Sequence, residues 1–166
     1  MIQVYTGEGK GKTTAALGLA LRACGAGLKV YIAQFAKGRD SSELQALSRL
    51  ENITCERFGK SCFIKEITDE DRKLAHAGFQ RVCAILREKT YDMVILDEIN
   101  ILMHLHLIPQ EETLRIIKEA SKETEIVLTG RHAPKELIDA ADLVSEVTCV
   151  KHYYSKGVKA RKGIEE

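Results

Sequence analysis

The chain's 166 residues suit one domain, long enough to bury a core without disulfides or a structural metal. Its 25 Lys and Arg against 24 Asp and Glu leave a net charge of +1, which excludes a global field drawing the protein to nucleic acid or an acidic membrane. Five cysteines, at positions 24, 55, 62, 83 and 149 with no C-x-x-C pair, argue against a disulfide framework or zinc ribbon and for a reducing cytosol, and no apolar run reaches the ~18 residues of a membrane span.

Ile2 to Tyr5 predicts a short buried strand, entered directly from Met1, so no signal peptide is expected. Thr6-Gly7-Glu8-Gly9-Lys10-Gly11-Lys12-Thr13-Thr14 follows and opens a helix over Thr14 to Ala23, the context of a triphosphate-binding P-loop. Close glycines let successive N–H groups turn inward, and the helix adds the positive end of its dipole where phosphate oxygens sit. Lys12 supplies a mobile positive charge, Thr13 the hydroxyl for Mg2+, and Thr14 the reserve for that role. The full G-x-x-x-x-G-K-[ST] pattern is broken at its first position, which is Thr6. The helix, rich in Ala and Leu, is expected to be buried on most sides, with Arg22 either reaching the nucleotide or lying on an exposed stripe.

A second buried strand is predicted over Val30 to Phe35, followed by the polar loop Lys37-Gly38-Arg39-Asp40 at a ligand-facing strand end and a helix capped by Ser41 or Ser42. Ile53 to Phe58 reads as a weaker third strand. Thr68-x-x-Asp71 marks a capping-box helix start, with Leu74, Gly78, Val82, Ile85 and Leu86 on one face. Strands at Met93 to Leu96, Glu125 to Leu128 and Leu143 to Thr148 are separated by helices over Glu111 to Ala120 and Pro134 to Ala140. This alternation predicts an α/β fold of P-loop NTPase-like (RecA-like) type, a mostly parallel six-stranded sheet flanked by helices, as a single domain over 1–166.

Asp97-Glu98 leaves the fourth strand as a Walker B segment whose carboxylates can hold Mg2+ directly or through water, while Glu98 is equally placed to be a hydrolytic base. Thr129-Gly130-Arg131-His132 brings an arginine to the same sheet edge, either as a phosphate clamp or as one half of a surface salt bridge. His104 and His106 lack companion ligands at zinc-like spacing and read as core or surface residues, and Cys62 and Cys83 as small apolar residues without an acid-base partner. The basic, aromatic ending from Lys151 is a frayed tail, an arm over the ligand, or a single-strand nucleic-acid contact.

Taken together, the TGEGKGKTTAA loop, the LDEIN segment, the LTGRHAP turn and the VKHYYSKGVKARKGIE ending resemble the P-loop type of ATP:corrinoid adenosyltransferase, in matching order over nearly the whole chain. The resemblance implies transfer of the 5'-deoxyadenosyl group of ATP to corrinoid Co(I) with release of triphosphate, by a homodimer supplied with electrons by a reduced flavoprotein; the cysteines, balanced charge and lack of an apolar span add the expectation of a cytoplasmic protein without nucleic acid or membrane. Matched residue by residue, Gly7 to Lys12 cradle the triphosphate, Thr13 and Glu98 hold Mg2+ with Asp97 in support, and Arg22 and Arg131 contact ATP. Two departures are expected to matter. Longer members carry an N-terminal lid before the first strand, which is not expected here, and a Phe and Trp near the cobalt's lower face. This chain has no Trp, so Phe58 and Phe63 are the nearest candidates. The alternatives are a P-loop ATPase or phosphotransferase and an ATP-gated corrinoid carrier.

Overall fold

The computed structural model describes residues 1–37, 42–60 and 67–165. Six strands, β1 (Ile2–Thr6), β2 (Val30–Phe35), β3 (Ile53–Phe58), β4 (Met93–Asp97), β5 (Glu125–Thr129) and β6 (Leu143–Glu146), form one sheet in the order β3-β2-β4-β5-β1-β6. Every pairing is parallel. All strands therefore end at the same edge, and the loops leaving them share one side of the molecule.

Side-chain alternation along the strands divides the core between two faces. Val30, Ile32, Met93, Ile95 and Val127 pack under α1 (Lys12–Gly25) and α2 (Ser42–Leu47). Tyr31, Ala33, Phe35, Val94, Leu96, Ile126 and Leu128 pack under α3 (Asp69–Glu88), α4 (Ile99–His104), α5 (Gln110–Ala120) and α6 (Lys135–Ala140). The central strands β2 and β4 are buried throughout, which is why they read as continuous apolar runs. Both halves of the capping box are present at the start of α3, where Thr68 accepts from the Asp71 N–H and the Asp71 carboxylate accepts from the Thr68 N–H at 3.0 Å.

Two expectations change, and one helix appears where none is expected. The first helix is not buried on most sides: Ala16, Ala20 and Ala23 touch the sheet, whereas Ala15 and Leu21 are exposed. The helix covers the sheet with one small-residue stripe and turns its other flank to a cavity. The sixth strand stops at Glu146 instead of Thr148, because the Val147 carbonyl leaves the ladder and accepts the Gly9 N–H at 2.7 Å. Helix α4 follows Glu98 without a side-chain cap, so its six residues carry no start signal in the sequence. A turn of 3-10 helix at Tyr153–Lys156 begins the C-terminal arm.

Candidate nucleotide site

Strand order sets the site: β5 lies between β1 and β4, so the P-loop, Thr129 and the Asp97-Glu98 pair reach the same edge side by side. A cavity of about 1130 Å³ opens there, lined by the P-loop from Glu8 to Thr14, by Lys37, Glu43, Glu98, Arg131 and His132, and by Leu17 and Leu21 of α1 with Leu47 and Leu50.

Gly7 and Gly9 are required by a close approach. A Cβ on Gly7 would lie 2.5 Å from the Val147 carbonyl oxygen, and one on Gly9 would lie 2.7 Å from the Val147 and Thr148 oxygens. The segment after β6 is thus laid directly against the P-loop. Within the loop, Lys12 donates to the carbonyls of Gly7 at 2.7 Å and Gly9 at 2.8 Å. Only 6% of Lys12 is exposed, and burial pushes its ammonium below the ordinary lysine range.

Asp97 is the hub of the polar floor. Its carboxylate is buried, and Oδ1 accepts from the hydroxyls of Thr13 at 2.9 Å and Thr129 at 2.7 Å. Its Oδ2 accepts from Lys37 Nζ at 2.7 Å and from Gln34 Nε2 at 3.4 Å. Glu98 follows in a left-handed conformation with φ 64°, which a non-glycine residue adopts at a cost, and its N–H donates to Thr129 Oγ1 at 3.0 Å. Burial, and then the neighbouring Asp97, hold its carboxyl above the usual range. For Lys37, burial opposes the charge, but the Asp97 contact outweighs it and the ammonium ends above its ordinary value. One hydroxyl and two carboxylates make a hard oxygen set suited to Mg2+. The Gln34 Oε1 beside Asp97 is buried without a hydrogen-bond partner, consistent with a polar site built for a further occupant.

The other expected residues are placed unequally. Arg131 reaches the cavity and pairs with Glu8 at 2.9 Å, both side chains being more than half exposed, so the pair is weak and easily exchanged. Lys10 turns outward to the arm, donating to Tyr153 Oη at 3.0 Å and to the Ile164 carbonyl and Glu165 at 3.2 Å. Arg161, and then Tyr153, hold the Glu165 carboxyl well below the usual range. The arm therefore returns to the P-loop, and His152, Gly163, Ile164 and Glu165 join the cavity wall. Thr14 lines the cavity, but Arg22 is exposed in the last turn of α1 and is not part of the lining. Phe58 packs on Phe35, with ring centroids 5.6 Å apart, and against Gly78 of α3, away from the lining. Phe63 lies outside the described residues. The His104 ring stacks on His132 at 4.5 Å, and among the described residues no group of three or more His, Cys, Asp or Glu stands ready to ligate a metal. The sequence reading placed Lys37 only in a ligand-facing loop and did not single out Gln34 or Thr129; strand pairing brings them together, with Gln34 directly opposite Asp97.

Solved structures that share the fold include the flagellar accessory protein FlaH from Methanocaldococcus jannaschii, at TM-score 0.59 and 12% identity over 87% of this chain and 69% of that one, and the cytoplasmic domain of EssC, at TM-score 0.54 and 20% identity over 97% of this chain and 33% of that one. Among curated proteins, corrinoid adenosyltransferases from a Sinorhizobium species and from Pseudomonas aeruginosa are 36% and 34% identical over 99% of this chain and 79% and 83% of their own lengths. The corrinoid adenosyltransferase of Escherichia coli K12 is 33% identical over 99% of this chain and 85% of its own. The profile of the ATP:corrinoid adenosyltransferase BtuR/CobO/CobP family matches residues 1–165, and the chain belongs to that family.

Proposed function

We infer that this protein transfers the 5'-deoxyadenosyl group of ATP to the Co(I) of a corrinoid and releases triphosphate. The observation that carries the reading is a P-loop cavity with charged lining residues, Lys12, Glu98 and Lys37, the last of them held by the buried Asp97, beside an apolar flank, Leu17, Leu21 and Leu50. Such a cavity suits a polyphosphate next to a large planar macrocycle. In the reaction the cobalt electron pair attacks C5', the C5'–O bond breaks, and triphosphate departs with that bond's electrons. The nucleophile belongs to the substrate, so the chain needs no activated serine or cysteine. Burial holds the Cys55 thiol at about 11 and raises that of Cys83, which keeps both protonated and inert.

The chain's own tasks are to hold C5' in line and to balance charge that grows on the leaving group. Lys12 exchanges its two loop carbonyls for phosphate oxygens, and Arg131 leaves Glu8 to clamp the chain of phosphates. Thr13, Asp97 and Glu98 are the residues that would hold Mg2+, which supplies further positive charge against the triphosphate. The reduced corrinoid calls for an electron donor, for which a reduced flavoprotein suits, and the family resemblance supports a cytoplasmic homodimer. Among the described residues no helix is long and apolar enough to cross a membrane.

Product analysis tests the reading. With ATP and a reduced corrinoid the expected inorganic product is triphosphate; ADP would instead point to an ATPase or phosphotransferase, and tight corrinoid binding without either product to a carrier.

A further inference from the structure

Lys37 follows β2 at the rim of the cavity, and its ammonium lies between carboxylates from two different elements. Asp97 Oδ2 is 2.7 Å away and Glu43 Oε1, from the first turn of α2, is 3.8 Å away. The Lys37 side chain is 19% exposed and that of Asp97 is 1% exposed, so the close contact is largely shielded from water. Asp97 Oδ1 is already engaged by the hydroxyls of Thr13 and Thr129, which leaves Oδ2 as the oxygen facing Lys37. A divalent cation held by Thr13 and Glu98 would place two further positive charges beside this ammonium. In so dry a setting the two cations compete for the same carboxylate charge. The ammonium has somewhere to go, because its flexible side chain lines the same cavity as Lys12 and Glu43.

We propose that Lys37 is a displaceable counter-charge, which balances Asp97 until a divalent cation does and then turns into the cavity to join Lys12 on the triphosphate. This rests on Thr13, Asp97 and Glu98 forming the cation site. Two consequences have opposite signs. Removing the Lys37 charge removes a competitor and tightens divalent-cation binding, yet it also removes a phosphate contact and weakens binding of the polyphosphate. A lysine that only packs and pairs at the rim would weaken both together.

The test is Mn2+ binding to the nucleotide-free protein, followed by the paramagnetic resonance of free Mn2+, alongside calorimetric binding of tripolyphosphate with Mg2+ present. For Lys37→Met the Mn2+ dissociation constant is expected to fall roughly tenfold while that of tripolyphosphate rises roughly tenfold, as one charge-assisted contact is lost. Lys37→Gln, which still donates a hydrogen bond to Asp97, carries the same test should the Met variant fail to fold. Unchanged or weaker Mn2+ binding in a folded neutral variant, or unchanged tripolyphosphate affinity, overturns the proposal. Failure of the underlying cation site is a separate result, in which Thr13→Ala and Glu98→Gln leave Mn2+ binding as in the unaltered protein.

Discussion

Lys12 is an ammonium held almost out of water by two carbonyls of its own loop, and such a group is ready to trade them for phosphate oxygens. Lys12→Ala should slow adenosyl transfer by at least ~2 kcal/mol in the transition state, with far-ultraviolet dichroism unchanged; near-normal turnover of the folded variant would remove Lys12 from the mechanism. Glu98 gives a pH signature. Burial and Asp97 raise its carboxyl above the ordinary 4.5, so it favours the folded protein while protonated, and that contribution is lost as pH rises through the folded value. Glu98→Gln should therefore raise the melting temperature above that value, with the gain vanishing below 4.5, while Mg2+-dependent turnover drops and excess Mg2+ partly restores it. A gain equal at every pH would contradict the assigned cause. Lys12, Thr13, Asp97 and Glu98 were legible in the sequence because each belongs to a contiguous motif at a strand end. Lys37, Gln34 and Thr129 were not, since they meet Asp97 across neighbouring strands and no local spacing records that pairing.

Elements were read well where one periodicity had one cause. The buried strands β2 and β4 and the capped helix α3 match their expected positions because apolar runs and a capping box are local signals. Helix α1 was misjudged, because an Ala- and Leu-rich helix looks alike whether its second flank meets protein or a cavity. β6 is shorter than expected, because the Val147 carbonyl braces the P-loop instead of extending the sheet. That brace has a cost when disturbed: Gly7 sits at φ 94° with the Val147 oxygen 2.5 Å from an added Cβ. Gly7→Ala should cost about 1–3 kcal/mol in chemical denaturation and raise the KM for ATP, whereas an unchanged midpoint would show the contact to be slack. Phe58 lies under α3 beside Phe35, so Phe58→Ala should lose about 2 kcal/mol of stability, with turnover from Co(II) and from Co(I) corrinoid falling together. Selective loss of the Co(II) reaction would instead restore Phe58 to the corrinoid site.

Over the whole molecule, strand and helix alternation foretold a parallel α/β sheet but not the order β3-β2-β4-β5-β1-β6, because sequence spacing does not say which strands become neighbours. That order sets β5 between the P-loop strand and the Walker B strand and so makes one site of three separate motifs. The C-terminal arm returns to Lys10 and Tyr153 ties it to Glu165, so the chain's end and the loop near its beginning enclose one cavity. In the proposed function, this cavity brings C5' of ATP to a cobalt nucleophile. The most direct measurement is anaerobic incubation of the protein with ATP, Mg2+ and chemically reduced cobalamin, followed by the visible spectrum in the dark and then after light. Protein-dependent appearance of the alkylcobalamin spectrum, lost on photolysis and matched mole for mole by triphosphate, is the predicted result. A cobalamin spectrum that stays at Co(I) while ATP is bound or turned into ADP would contradict it.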